Sequence, residues 1–150
     1  MKKKTADVDD LISFIQESPT PWHTVEVLRK RLLKAGFEEL SEGDAWTLKP
    51  GGNYFVARQE SSFCAFNVPQ ERVLSCRIAA AHTDSPGFRL KPKAEYRKEN
   101  MVMLGLEVYG GPLLTSWLNR DLGIAGRVVC KEGDVYADRL VRLDDAGGGA

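Results

Sequence analysis

The chain has 150 residues, of which 43% are hydrophobic and 28% are charged. These proportions are ordinary for a globular protein and argue against a disordered chain or a fibrous repeat. Lysine plus arginine and aspartate plus glutamate both total 21, so the formal net charge is zero. Without an excess of positive charge, the chain has no long-range electrostatic field that would attract nucleic acid or an acidic membrane surface. We therefore expect neither as a partner.

Signals for secretion and membrane insertion are also missing from the sequence. No apolar stretch reaches the roughly 20 residues that span a membrane, and the first residues lack the apolar core of a signal peptide. The three cysteines, Cys64, Cys76 and Cys130, are widely spaced and form no Cys-x-x-Cys pair. An odd number of scattered thiols is typical of reduced cysteines rather than a disulfide framework. These features predict a cytoplasmic protein.

Two helices are predicted at the start of the chain. Thr5 is expected to cap the first helix, and Ser18-Pro19 to end it, because the residue before a proline avoids the α region. Thr20-Pro21 is the pattern of a cap followed by a proline in the first turn, and Gly36 predicts the end of the second helix. Apolar residues at helical spacing predict the buried face of the first helix: Val8, Leu11, Ile12 and Ile15.

Strands are predicted further along, where short runs are rich in β-branched and aromatic residues. Residues 73–81 are mostly small and apolar, interrupted by Ser75 and Arg77, and more continuous than alternating, as in a strand covered on both faces of a sheet. Residues 113–118 are compatible with a short helix, and residues 144–150 are expected to form a flexible tail. The remaining predicted strands cover residues 54–58, 63–68, 101–109, 126–131 and 135–143, the last two joined by a glycine-containing turn.

The strongest chemical signal is His82-Thr83-Asp84, which follows the predicted buried strand. Ligands of open α/β sheets bind where strands end, and a neutral imidazole is a good zinc ligand. A carboxylate two residues on could orient the ring through a hydrogen bond. His82 is therefore a candidate metal ligand and Asp84 a candidate orienting residue. By itself the pattern is a weak motif that is more typical of a strand-end histidine whose ring nitrogens bond to a nearby carboxylate or water.

The only other histidine, His23, lies where the second helix is predicted to start. Its position shows no metal-ligand spacing to His82. A histidine in the first turn of a helix is more often structural or solvated than functional, although His23 could reach a substrate or a neighbouring subunit. A zinc site generally needs at least three protein ligands, so two histidines do not define one.

Three segments together resemble the aspartyl aminopeptidase family of zinc metallo-aminopeptidases. Residues 18–23, Ser-Pro-Thr-Pro-Trp-His, are similar to its early Ser-Pro-x-Pro-aromatic-His segment. Residues 82–86, His-Thr-Asp-Ser-Pro, resemble its metal-binding motif. Residues 107–122 are similar to the stretch that leads into its second domain, and Gly-Arg-Val-Val at 126–129 follows in order.

The resemblance implies an α/β fold with two parts. Residues 1–92 would belong to a mixed-sheet, zinc-exopeptidase-like catalytic domain, incomplete in this chain. Residues 93–143 would begin an inserted β-rich dimerisation domain, through which family members assemble into homo-oligomers.

The same resemblance implies hydrolysis of N-terminal, often acidic, residues from peptides. His82 would bind one of two zinc ions, with manganese or cobalt as alternative metals, and Asp84 would act in catalysis by orienting that ligand. Two such metals, about 3.5 to 4 Å apart, activate water beside a glutamate base. The other metal ligands and this glutamate are expected in segments after residue 143. The isolated chain is thus expected to be an inactive or incomplete fragment; the alternative is a non-catalytic folding fragment or an oligomerisation or binding module.

Overall fold

The fold is described from a computed structural model, which describes residues 2–71 and 75–143. The chain forms two compact units. Unit 1 contains the residues up to 83 and those from 123 onward, and unit 2 contains residues 84–122. No helix within the described ranges is long and apolar enough to cross a membrane. The mixed α/β class predicted from the sequence is confirmed.

Unit 1 begins with two helices, α1 (Lys2–Glu17) and α2 (Pro21–Lys34). The predicted break at Ser18-Pro19 is confirmed, and so is the cap of α2, because the Thr20 side chain accepts a hydrogen bond from the backbone N–H of His23. Gly36 follows α2 with a φ of +83°, a conformation that favours glycine. The prediction that Thr5 caps α1 is wrong, since the helix already includes Lys2 and lysine is a good helix former.

The predicted buried face of α1 is also wrong. Its four apolar residues are at least 47% exposed. Helical spacing places them on one side of α1, but burial needs a facing surface, and the described residues provide none. Contact with α2 comes instead from Arg31, whose guanidinium lies 2.8 Å from Asp10 Oδ2 and 5.2 Å from the ring centroid of Phe14.

A three-stranded sheet follows the helices. It consists of β1 (Glu38–Leu40), β2 (Asn53–Arg58) and β3 (Ser62–Asn67), in that order, with β1 parallel and β3 antiparallel to β2. The strands β2 and β3 confirm the prediction, whereas β1 was too short and too acidic to be recognised. The best-buried side chains of the unit are Val25 on α2 and Phe55 on β2, each 1% exposed.

The prediction of a doubly covered strand at residues 73–81 is wrong for the part that is described. Residues 75–81 form no strand and are exposed, with Ile78 at 85%. Val73 and Leu74 lie outside the described residues. An apolar run becomes a buried strand only when neighbouring strands and covering layers are present. No described strand pairs with residues 75–81.

Unit 1 closes with the predicted hairpin. The strands β6 (Ile124–Glu132) and β7 (Val135–Leu143) pair in antiparallel register, and Gly133 in their turn has a φ of +64°. The hairpin contacts the helices through Arg127, whose guanidinium lies 5.2 Å from the ring centroid of Trp22. The predicted tail at 144–150 lies outside the described residues.

Unit 2 is built on one long hairpin, β4 (Gly87–Lys98) and β5 (Met101–Tyr109), with a register shift between Leu90 and Glu95. The prediction of β5 is confirmed. The short helix at 113–118 is found as a 3₁₀ turn over Leu114–Trp117, and Trp117 packs edge-on against Phe88 with ring centroids 4.9 Å apart. The proposed boundary between a catalytic and an inserted domain at residues 92 and 93 remains a prediction.

Candidate functional site

His82 lies in unit 1 at the end of the extended segment 75–82 and is exposed. Asp84 is the first residue of unit 2 and is half-buried. Each residue is therefore described with the neighbours of its own unit. The two residues that the sequence singled out are separated by one residue in the chain, but they belong to different units of the fold.

The residue between them, Thr83, is held at both of its polar groups. Its Oγ1 donates a hydrogen bond to the Ser61 carbonyl at 2.8 Å, and its carbonyl accepts one from Thr24 Oγ1 at 3.1 Å. Thr24 is 7% exposed, and the same hydroxyl lies 3.0 Å from the Thr20 carbonyl one turn earlier in α2. The start of α2 and the β2–β3 turn thus both contact the residue that follows His82.

His23 is engaged with the cap of its own helix. Its Nδ1 lies 2.7 Å from Thr20 Oγ1, the same oxygen that accepts its backbone N–H at 3.4 Å. Partial burial, and then the positive charge of Arg142, lower the pKa of His23 below its ordinary value. A neutral ring accepts the Thr20 hydroxyl proton at Nδ1, so both interactions are satisfied at once. This geometry supports the structural interpretation of His23.

Asp84 is held by Tyr109, the last residue of β5. The Tyr109 hydroxyl donates to Asp84 Oδ2 at 2.5 Å, and the Arg89 guanidinium lies 3.5 Å from the Tyr109 ring centroid. The hydrogen bond to Asp84 raises the pKa of the Tyr109 phenol, because the carboxylate stabilises the protonated donor. Asp84 therefore has a defined orientation within unit 2.

A cluster of charges joins α2 to the three-stranded sheet. The Arg29 guanidinium contacts Glu26 at 3.1 Å, Glu39 at 2.9 Å and Glu60 at 2.6 Å. Partial burial acts to lower the pKa of Arg29, but the hydrogen bonds that Arg29 donates to Glu60, Glu39 and Glu26 outweigh it and raise that pKa. Each of the three Arg29 nitrogens therefore donates to a different carboxylate of the same unit. The role of this cluster is to hold the β2–β3 turn against α2.

Sequence reasoning did not identify Thr24, Ser61 or Tyr109. The Thr24–Thr83 and Tyr109–Asp84 contacts join residues 59 and 25 positions apart. A hydroxyl that bonds a distant backbone carbonyl leaves no periodic or spaced pattern in a single sequence. Thr24 and Tyr109 do lie at or beside the segments that carry the resemblance, which was the one available signal.

The described residues do not form a complete metal site. The His82 imidazole has the chemistry of a zinc ligand. Within residues 2–71 and 75–143, however, no group of three His, Cys, Asp or Glu side chains could hold a metal ion. Since zinc sites generally use three or four protein ligands, no chemical step through a metal is derived from this geometry.

Comparison with known families gives one match over most of the chain. The sequence pattern of the aminopeptidase I zinc metalloproteases (M18) fits residues 14–146. A probable M18 family aminopeptidase 2 of Pseudomonas putida is 42% identical over 133 residues, which are 87% of this chain and 31% of that protein. An aspartyl aminopeptidase of Aspergillus oryzae is 41% identical over 140 residues, 90% of this chain and 28% of that protein.

Solved structures agree with this match. Chaetomium thermophilum mApe1 superposes with a TM-score of 0.82 at 38% identity, covering 91% of this chain and 32% of that one. The mApe1 dodecamer of Saccharomyces cerevisiae gives a TM-score of 0.73 at 27% identity, covering 89% and 32%. The chain thus spans about a third of the length of the relatives it matches.

Proposed function

Because this chain belongs to the aminopeptidase I family of zinc metalloproteases (M18), we propose that it forms part of a zinc-dependent aminopeptidase that removes N-terminal residues from peptides. The observation that carries the proposal is His82-Thr83-Asp84, with Thr83 fixed by two hydrogen bonds and Asp84 held by Tyr109. An acidic N-terminal residue is the preferred substrate in this proposal, in keeping with the name of the Aspergillus relative.

His82 is the zinc ligand of this proposal, and Asp84 orients it. A carboxylate that accepts a hydrogen bond from a ligand imidazole fixes the ring tautomer and makes the ring a better donor. Tyr109 limits the orientations of the Asp84 carboxylate, which favours such a role. The complete site would hold two zinc ions, with manganese or cobalt as substitutes, and the remaining ligands and the general base would come from outside this chain.

The proposal extends to assembly and location. The S. cerevisiae relative is described as a dodecamer, and homo-oligomerisation of the whole protein is part of the proposal. The inserted β-rich domain that would mediate it starts at residue 93. A cytoplasmic location is also proposed, supported by three cysteines that are all free thiols. Nucleic acid and membranes are not among the proposed partners.

A chimeric enzyme tests the proposal directly. Residues 14–146 of this chain would replace the matching segment of the Pseudomonas putida aminopeptidase, and hydrolysis of aspartyl, glutamyl and leucyl amides would be measured with zinc, manganese or cobalt. We expect activity in the chimera and little or none in the 150-residue chain, which provides one candidate ligand.

Two substitutions separate the assigned roles. His82→Ala should abolish chimera activity and lower its zinc content, whereas Asp84→Asn should reduce activity about 10- to 100-fold, as is typical for partners of metal ligands. Lys30→Ala, at an exposed position on α2, is the matched control. An active chimera with full zinc content after His82→Ala would contradict the metal assignment. Stoichiometric binding of two zinc ions by the 150-residue chain would contradict its proposed incompleteness.

The alternative is that the chain by itself acts as a non-catalytic folding fragment or an oligomerisation module. The observation that favours it is the number of large apolar side chains exposed on both units. The chimera distinguishes the two, because an oligomerisation module would support assembly of the chimera without His82-dependent hydrolysis.

A further inference from the structure

An open cavity of about 310 Å³ lies in unit 1, where the chain after α2 meets the loop of residues 49–52. Its volume is at the lower end of the roughly 300 to 1,000 Å³ that is typical of small-molecule sites. A ligand for this cavity is therefore a small molecule rather than a long peptide. The residues of its lining that carry chemistry or shape are Glu38, Lys49, Gly51, Gly52, Asn53 and Tyr54.

Two opposite charges line this cavity without neutralising each other. Glu38 is the first residue of β1, Lys49 lies in the loop before β2, and both are exposed. Within residues 2–71 and 75–143, neither side chain forms an ion pair, either with the other or with a third residue. Elsewhere in the same unit, the exposed pair Arg58 and Glu42 does close to 3.3 Å. Two opposite charges that share a cavity but stay apart leave room for a ligand that contacts both.

The loop beside these charges is held in one shape. The Lys49 N–H donates to the Tyr54 hydroxyl at 2.9 Å, and the Gly52 N–H donates to the Lys49 carbonyl at 3.0 Å. Gly51 has a φ of +78°, and its N–H donates to the Val68 carbonyl at 2.8 Å. A Cβ at Gly52 would lie 2.5 Å from the Tyr54 hydroxyl oxygen, so the loop packs directly against this buried side chain. A wall that is already formed lowers the entropy cost of binding a ligand.

Asn53 adds an uncharged hydrogen-bond donor to the lining. Its Oδ1 accepts a hydrogen bond from Asn67 Nδ2 at 2.5 Å. Its own Nδ2 carries two hydrogens, and no described residue accepts either of them. The cavity therefore combines an anion, a cation and a neutral donor.

We propose that this cavity binds a free α-amino acid with a small side chain, with its ammonium group at Glu38 and its carboxylate at Lys49 and Asn53. An α-amino acid carries both charges at neutral pH, and hydrogen bonds between charged groups are the strongest kind. A ligand with only one of the two charges would leave Glu38 or Lys49 without a partner. This inference goes beyond the proposed function and needs no metal, although α-amino acids are also the products of that reaction.

The first test compares ligands on the isotopically labelled 150-residue chain by nuclear magnetic resonance. L-Alanine should shift the backbone amide signals of Gly51 and Gly52, with a dissociation constant in the millimolar range because both charges are exposed to solvent. N-Acetyl-L-alanine lacks the ammonium group and L-alaninamide lacks the carboxylate, so each should bind at least about fivefold more weakly. Equal binding of either analogue would overturn the proposal.

The second test removes the two charges from the protein. Glu38→Gln and Lys49→Met should each weaken L-alanine binding about 5- to 10-fold. Asp134→Asn and Lys131→Met remove the same kinds of charge from the β6–β7 hairpin, outside the cavity lining, and should leave binding unchanged. Circular dichroism checks that each variant is folded. If one of them is not, the ligand comparison on the wild-type chain carries the test.

Three further results would overturn the proposal. Amide signals of Gly51 and Gly52 that stay unchanged in tens of millimolar L-alanine would show that the cavity is no amino-acid site. Tighter binding of L-alanyl-L-alanine than of L-alanine would identify a peptide site instead. Full affinity in both Glu38→Gln and Lys49→Met would show that the two charges do not hold the ligand. The proposed function is tested separately, because hydrolysis by the chimera does not depend on any of these measurements.

Discussion

Phe55 and Thr24 in unit 1 differ in how far their roles in the fold can be predicted from the local sequence. Phe55 belongs to a predicted strand, and its aromatic ring is almost fully buried. Thr24 belongs to a predicted helix, yet its buried hydroxyl contacts a carbonyl 59 residues away. The first property follows from residue type and local pattern, whereas the second depends on where another segment passes.

Phe55→Ala is expected to destabilise unit 1 by about 3 to 5 kcal/mol, because removing a buried aromatic ring loses its transfer free energy and leaves a cavity. The measurement is urea unfolding followed by circular dichroism. Tyr136→Ala, at a position 70% exposed in the same unit, is the control and should change stability by less than about 0.5 kcal/mol. Equal effects of the two substitutions would show that Phe55 is not part of a core.

His23 predicts a pH dependence. Its pKa in the folded chain lies below the value of 6.5 expected when unfolded, so the unfolded state binds the proton more tightly. The stability that His23 contributes is therefore complete above about pH 6.5 and is lost as the pH falls through that value. Thermal unfolding at about pH 7.5 and pH 5.5 should show a smaller difference for His23→Gln than for wild type. His82→Gln, at the other histidine, is the control substitution, and an unchanged pH dependence in His23→Gln would disprove the expectation.

At the scale of elements, contacts between helix and strand decide what the local patterns leave open. The helix α2 follows its sequence signals closely, from the Thr20 cap to Gly36. Its neighbour β1 has no such signal and becomes a strand only because it lies parallel to β2. Arg29 on α2 contacts Glu39 of β1 and Glu60 of the β2–β3 turn. The cluster therefore stabilises the packing of the sheet against α2 rather than any single element.

Arg29→Met should lower the free energy of unfolding by about 1 to 3 kcal/mol, because it leaves three clustered carboxylates, with side chains 35% to 50% exposed, without the partly buried cation that they share. The matched control is Arg58→Met. Arg58 has one exposed partner, Glu42, at 3.3 Å, and its loss should cost less than about 0.5 kcal/mol. Urea midpoints of both variants give the comparison, and similar losses would argue against a special role for Arg29.

At the scale of the whole molecule, many large apolar side chains of the described residues are exposed in both units. On β5, four residues at alternate positions share one face and are all exposed: Val102, Leu104, Leu106 and Val108. In unit 1, Ile78 and several residues of the β6–β7 hairpin are exposed apolar side chains as well. Contiguous apolar patches of this kind mark surfaces that bind other protein surfaces.

We therefore expect the isolated chain to associate in solution in a concentration-dependent way. Replacing Leu104 and Leu106 by lysine should reduce this association, because it places two charges in the apolar row. Lysines at Thr47 and Thr115 add the same charge outside the row and should leave association unchanged. Light scattering measures all three proteins, and a wild-type chain that stays monomeric at every concentration would contradict the expectation.

The sequence by itself determined the features that depend on short-range chemistry. The break at Ser18-Pro19, the limits of α2, the strands β2, β3 and β5 and the β6–β7 hairpin follow from capping, proline geometry and residue type. The three motif segments were sufficient for the family resemblance, which the match over residues 14–146 confirms. Residue type and motif were also enough to single out His82 and Asp84 as candidates, and their roles remain predictions.

Only the tertiary structure decided which patterns are buried and what supports the candidate site. The apolar faces of α1 and residues 75–81 have the right periodicity or composition for burial, yet both are exposed. A side chain is buried only when a second surface packs against its own, whereas a sequence segment specifies only one of the two surfaces. The hydrogen bonds of Thr83 with Thr24 and Ser61 likewise join positions that are distant in the chain. So does the hydrogen bond between Tyr109 and Asp84. Such contacts exist only once the chain has folded, because they depend on the path of the backbone in space.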